Sequence, residues 1–205
     1  MGIADRKIRE KEELTRQILD AAKALFIEKG LHKTSIRNIA DRIEYSPGII
    51  YHYFKDKNEI FHAIHTEGFI ELRSRLQVLA SVENPMERLK ALGTIYIQFA
   101  LENSDMYDLM FIIEAPMDYL NDTNTPCWDE GMSAFDALKS TIKECMDLGH
   151  FQGQELEPLT FMIWSTVHGM VSLKIRQRTN VIDPEEVEHI VDNAFKAFKI
   201  MLDKV

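Results

Sequence analysis

Apolar residues recur at helical spacing along almost the whole of this 205-residue chain, and no run alternates as a half-buried strand would. That pattern confines the chain to an all-α fold. The first helix begins near Glu12, carries Leu14, Ile18, Ala22, Leu25 and Phe26 on one face, and stops at Gly30, a natural residue just past a helix end. Thr34 or Ser35 caps a short second helix, in which Ile36, Ile39, Ala40 and Ile43 keep the i, i+3, i+4, i+7 rhythm. Ser46 followed by Pro47 starts a third helix through Phe54, with proline where its missing N–H does no harm. Asp56-Lys-Asn-Glu59 is a capping box that opens a long helix over 57–80 with Ile60, Phe61, Ile64, Leu72, Leu76 and Leu79. Asn84-Pro-Met-Glu87 and Asp183-Pro-Glu-Glu186 open two more, the last carrying Val187, Ile190, Val191, Ala194, Phe195, Phe198 and Leu202. Helices near 104–114, 128–148 and 156–178 lie between, and 115–127, with two prolines and two asparagines, reads as the longest loop.

Nine glycines, six prolines and 45% hydrophobic residues describe an ordinary globular protein and exclude collagen-like or disordered chains. The formal charge of −9 speaks against a nucleic-acid partner until it is resolved by position. Residues 1–60 hold 12 Lys+Arg and 10 Asp+Glu, a charge of +2, whereas 61–205 hold 12 and 23, a charge of −11. Half of the basic residues therefore occupy the first sixty positions, as in a chain whose one end faces nucleic acid. Cys127 and Cys145 suit neither a CxxC site nor a disulfide scaffold, the charged N-terminus has no apolar signal core, and no stretch is long enough to span a bilayer. The expectation is a cytoplasmic protein with free thiols and no membrane partner.

A short helix over 36–43, a tight turn, and a second short helix from Pro47 make a helix-turn-helix. Ala40 supplies the small residue that two closely crossing helices need, and Ile43, Ile50 and Phe54 close the core beneath. The second helix then presents Pro47, Gly48, Ile49, Tyr51, His52 and Tyr53 outward. A recognition helix reads base edges through its N-terminal residues. Lys55 and Lys57 follow at once, placed to meet flanking phosphates. The bland alternative is an aromatic-rich helix junction with a solvated basic edge.

Ile36-Arg-Asn-Ile-Ala40 followed by Ser46-Pro-Gly-Ile-Ile-Tyr51-His-Tyr-Phe54-Lys-Asp-Lys57-Asn-Glu-Ile-Phe61 resembles the DNA-binding domain of the TetR family of transcriptional regulators, over roughly residues 12–62. The resemblance implies that Tyr51, Tyr53 and Lys57 contact phosphates, that Thr34, Ser35 and Arg37 anchor the preceding helix on the DNA backbone, and that positions 47–49 and His52 face bases. Two positions depart from the family pattern. Glu44 and Tyr45 stand where Gly and Val are usual, so a left-handed Glu44 would cost about 1 kcal/mol. Ile49 replaces Thr or Ser, favouring contact with a thymine methyl over a hydrogen bond.

Residues 80–205 resemble the ligand and dimerisation domains of that family more loosely, through Trp164-Ser-Thr-Val-His168-Gly169-Met-Val-Ser-Leu173. Trp164 and His168 share a helical face, and Gly169 would permit close helix packing. The resemblance implies a homodimer through the last two helices, a double-stranded DNA operator as partner, and a small-molecule effector. Tyr96, Phe99, Met106, Met110, Trp128, Met132, Phe135, Met162, Trp164 and His168 are candidates to line a pocket for an apolar or amphipathic molecule, although for any one of them a place in the core is the plainer reading. Tyr107-Asp108 and Glu114 could select a cationic ligand, and the 116–126 loop could gate it. His62 and His65, three apart on one helix, do not make a metal site, and no catalytic or cofactor fingerprint is present, so neither enzyme, cofactor nor metal is expected. The division expected is a helix-turn-helix domain over 1–56, a connecting helix over 57–80, and a ligand-binding and dimerisation domain over 81–205. A protein of the same build without an inducer, acting as an architectural or protein-recruiting DNA binder, is the alternative.

Overall fold

A computed structural model describes residues 3–122 and 128–205, and every regular element among them is helical. Ten α-helices follow in order: α1 (Ile3–Lys29), α2 (Ile36–Arg42), α3 (Pro47–Ile50), α4 (Lys57–Gln77), α5 (Pro85–Glu102), α6 (Ser104–Phe111), α7 (Ala115–Asp122), α8 (Asp129–Asp147), α9 (Leu156–Ile175) and α10 (Ile190–Leu202). Short 3-10 turns occupy Leu31–Lys33, Val78–Ser81 and Arg178–Val181.

The capping signals act largely as the sequence predicts. Gly30 ends α1 at φ 78°, and its N–H donates to the Phe26 carbonyl. Ser35, not Thr34, caps α2 by accepting the Asn38 N–H at 3.2 Å. Asn84 accepts the N–H groups of Met86 and Glu87 at 2.9 and 3.1 Å. Other boundaries differ. α1 starts nine residues before Glu12, because alternating acids and bases such as Arg6 and Glu10, paired at 2.7 Å, sustain a helix that has no core to face. α3 ends at Ile50, and Tyr51–Tyr53 form a turn. Residues 115–122 are helical, not a loop: Pro116 sits in the first turn, where a proline is harmless. The remainder of that expected loop, 123–127 with Cys127, lies outside the described residues. The Asp183 box caps only a turn, its carboxylate accepting the Glu185 N–H at 3.0 Å, and α10 begins later, at Ile190.

The chain divides into two compact units, Met1–Gly68 with Asp108–Trp128, and Phe69–Tyr107 with Asp129–Val205. In the first, α2 packs on α1 and on α3 over a core that includes Ile18, Leu25, Ile39, Ala40, Ile50 and Phe61, each at most 2% exposed. Phe26 meets Phe61 edge-on, ring centroids 5.9 Å apart. Arg42 forks onto the Glu28 carboxylate at 2.9 and 2.6 Å, tying α2 to α1. In the second unit α5 packs against α8 and α9, and α9 against α8 and α10. Met86, Leu89, Ile142, Cys145, Phe151, Leu159, Ile163 and Leu202 share one core there. Burial pushes the Cys145 thiol up to about 11, which leaves it an inert apolar residue. Residues 108–128, placed with 81–205 on sequence grounds, cluster instead with the first unit.

Gly93 is the glycine that close packing requires: a Cβ there would lie 2.6 Å from the Phe195 ring. Gly169, expected to serve that purpose, has nothing within 4 Å of the place its Cβ would occupy.

Candidate nucleic-acid interface

The turn between α2 and α3 is a Schellman motif: Tyr45 N–H donates to Ala40 O at 3.0 Å and Glu44 N–H to Asp41 O at 3.4 Å. Glu44 takes the left-handed position, φ 60°, that such a motif demands. The motif fixes the angle at which α3 leaves α2, while Ile50 and Phe54, both buried, hold the inner side of α3 and its following turn. Outward lie Ser46, Gly48, Tyr51 and His52, all exposed, with Pro47, Ile49 and Tyr53 half-buried. Tyr51 is 57% exposed, too much for a core aromatic and suited to a partner surface. Ser46 stands at the N-cap but makes no capping bond with its side chain. A Cβ on Gly48 would meet nothing nearer than Ser46 Oγ at 3.7 Å, so the fold itself does not require glycine there.

Local bonds fix several of the positions expected to face DNA. Thr34 is 1% exposed and its hydroxyl donates to Gly30 O at 3.0 Å, so its side chain supports the turn after α1 and faces no outside partner. Ser35 divides its hydroxyl between the α2 cap and the Asn38 side chain, 2.8 Å away, while Arg37 on the same turn is exposed. Lys57 Nζ donates to Leu31 O at 3.2 Å. That bond uses one of three ammonium protons and aims the charge, leaving two donors. Lys55 is exposed, and its backbone N–H is taken by the Glu59 carboxylate, whose own N–H donates to Asp56 Oδ1 at 2.9 Å. The capping box is thus closed one residue earlier than its usual reciprocal form.

Of the pocket candidates, Tyr96, Phe99 and Met106 are buried in the second unit and Met110 in the first. Tyr96 and Tyr107 hydroxyls lie 2.9 and 3.2 Å from His168 Nδ1. A neutral imidazole offers one lone pair, so one phenol donates to Nδ1 while Tyr107 can instead reach the His168 carbonyl at 3.3 Å. Burial, and secondarily the Arg176 charge, holds His168 below its ordinary value, and burial holds the Tyr96 phenol well above its own. His168 and Tyr96 are therefore both uncharged at neutral pH. Trp164 packs beside it, 5.5 Å from the His168 ring, and Phe135 meets Trp164 edge-on at 6.1 Å. Tyr107, the second phenol, lies on α6 while Tyr96 lies on α5, so the pairing of both with His168 depends on how separate helices pack. Met132 and Met162 are 52% and 55% exposed and do not join this group. Trp128 belongs to the first unit, where its indole N–H donates to His65 Nε2 at 3.0 Å.

The model of the bacterial regulatory proteins of the tetR family matches residues 18–64, and that of the tetracyclin repressor-like C-terminal domain matches 89–198. The HTH-type transcriptional repressor KstR2 of Mycobacterium tuberculosis is 37% identical over 78 residues, 37% of this chain and 38% of that protein. The HTH-type transcriptional regulator BetI of Serratia proteamaculans is 40% identical over 83, 38% of this chain and 40% of its own. The chain thus spans about two fifths of the length of these curated relatives. The fatty acid degradation regulator FadR from Bacillus halodurans superposes with TM-score 0.69 at 18% identity, covering 89% of this chain and 92% of that one. A TetR/AcrR-family regulator from Thermobifida fusca does so at 0.65 and 23%, covering 91% and 97%. At such identities the likeness is one of fold.

Proposed function

The chain belongs to the TetR family of bacterial regulatory proteins, and from that membership we propose that it is a transcriptional repressor that binds a pseudo-palindromic operator as a dimer and is released by a small molecule. The observation that carries the DNA-binding part is the exposed surface of α3 and its following turn, rigidly mounted on a Schellman turn and flanked by Lys55 and Lys57. In this reading Gly48, Ile49 and His52 meet base edges, and Ser35, Arg37, Ser46, Tyr51, Tyr53, Lys55 and Lys57 meet the backbone. Phosphate contacts position the helix; the short N-terminal residues of α3 read the groove.

The dimer part rests on apolar side chains left in solvent on two helices. Phe161, Met162 and Leu173 on α9 are 60, 55 and 53% exposed, and Ile200 and Met201 on α10 are 49 and 64%. A two-fold pairing of α9 and α10 would cover them, and it would supply the two recognition helices, about 34–36 Å apart, that a palindrome requires. The effector part rests on the hydrogen-bonded Tyr96–Tyr107–His168 cluster among aromatic neighbours, which offers hydrogen bonds to the polar end of an otherwise apolar molecule. Release requires only that the effector prefer the non-binding conformation; a 100-fold preference is about 2.7 kcal/mol. Regulation from within the cytoplasm follows from this role, and no described helix is long and apolar enough to cross a membrane.

Fluorescence anisotropy with a duplex from the region upstream of the protein's own gene tests the reading. Joint replacement Tyr51→Ala and Lys57→Ala is expected to abolish specific binding; wild-type affinity in that variant would sink it. A thermal-shift screen of amphipathic compounds separates an effector-responsive regulator from one without an inducer, since only the former is stabilised in proportion to ligand.

A further inference from the structure

α7 was unforeseen, and what it carries bears on the phosphate-facing turn. Tyr119 of α7 lays its ring on His62 of α4, centroids 4.9 Å apart and planes 28° apart. Its hydroxyl donates to Glu59 Oε1 at 3.4 Å, while the other oxygen of the same carboxylate, Oε2, accepts the Lys55 N–H. Burial, and then the Glu59 charge, raise the Tyr119 phenol, so it remains a donor throughout the neutral range. One turn further along, His65 is fully buried, stacks on His62 at 5.5 Å, and accepts the Trp128 indole N–H. Residues 119 and 128 thus seat on successive turns of α4, at Glu59, His62 and His65, within one compact unit.

We infer that Tyr119 is a positioning residue for DNA binding: it keeps the Glu59 carboxylate on the Lys55 backbone and off the ammonium groups that meet phosphate. The inference rests on the reading of this unit as the DNA-binding one. Glu59 lies on the first turn of α4, two residues after Lys57 and four after Lys55, which precedes the helix. A carboxylate released from Tyr119 competes with phosphate for those two cations, because a charge-assisted bond to a neighbouring lysine is the nearest replacement for the lost one. Held on the Lys55 N–H, the same carboxylate closes the first turn of α4 and leaves the lysine side chains to the ligand.

The test uses the full-length protein and a duplex that the wild-type protein selects from a random-sequence library. Tyr119→Phe retains the ring stack and removes only the hydroxyl. It is expected to weaken binding three- to ten-fold, to make the salt dependence shallower, and to leave the unfolding midpoint unchanged. Adding Glu59→Gln, which removes the competing charge but keeps a carbonyl for the Lys55 N–H, is expected to restore affinity to within two-fold. Wild-type affinity in Tyr119→Phe, absence of rescue, or a loss that merely tracks a fallen unfolding midpoint overturns the inference. Lys57→Ala, measured in parallel, tests the underlying reading: if it binds as wild type, the phosphate assignment of this turn fails whatever Tyr119 does.

Discussion

Glu44 holds φ at 60° with a side chain whose Cβ opposes that conformation, and the Schellman bonds of its neighbours keep it there. Glu44→Gly is expected to stabilise the protein by about 1 kcal/mol in denaturant unfolding, since the strain disappears while both turn hydrogen bonds remain. The two helical glycines make a sharper pair. Gly93→Ala drives a methyl into the Phe195 ring and is expected to cost about 1–3 kcal/mol. Gly169→Ala meets nothing and should be neutral or gain up to about 1 kcal/mol from helix propensity in the monomer. Equal destabilisation by the two would contradict the packing described. His168 adds a pH dependence. Its folded pKa is lowered from 6.5, so the fold binds fewer protons there than the unfolded chain. Its stabilisation is fully present above about pH 6.5 and is lost as pH falls through the lowered value. The unfolding midpoint of His168→Gln, which hydrogen-bonds but does not titrate, should therefore fall less than that of wild type between neutral pH and pH 5.

Among the elements, those announced by local chemistry formed where expected. α2, α4 and α5 begin at side chains that satisfy their own first N–H groups, and no distant residue has to intervene. Asp56→Ala, which removes one half of the α4 box, should cost about 1 kcal/mol and loosen the lysine turn that follows α3, detectable as faster amide exchange at Glu59. α7 and α10 were read wrongly for opposite reasons. α7 contains proline and asparagine, which mark loops by frequency, yet Ala115, Pro116 and Leu120 bury a stripe that outweighs propensity. The Asp183 box satisfied every local rule, but no apolar stripe begins until Ile190 and Val191, so it closes a turn and no more.

For the whole molecule, the charge of −9 divides into a slightly basic end and an acidic remainder. The acidic part is screened beyond about 8–10 Å at physiological salt, so it does not forbid DNA. On the proposed reading, in which Arg37, Lys55 and Lys57 of each subunit of a dimer meet phosphate, the log–log salt slope is expected to be about −5. A much steeper slope would point to Arg6, Lys7, Arg9 and Lys11 on the extended start of α1. What the sequence alone determined was the helical class, most helix starts, the outward face of α3 with its following turn and the pairing of Trp164 with His168, because each depends on residues within one or two turns of each other. Only tertiary structure decided which glycine is crowded, that Thr34 turns inward, that Lys57 is aimed by Leu31, that Tyr107 completes the His168 cluster, and that Tyr119 and Trp128 sit on α4. Apart from Thr34, whose bond to Gly30 is local but whose burial depends on packing, those facts join residues 26 to 102 positions apart, and the spacing of a chain carries no information about which distant surfaces will meet.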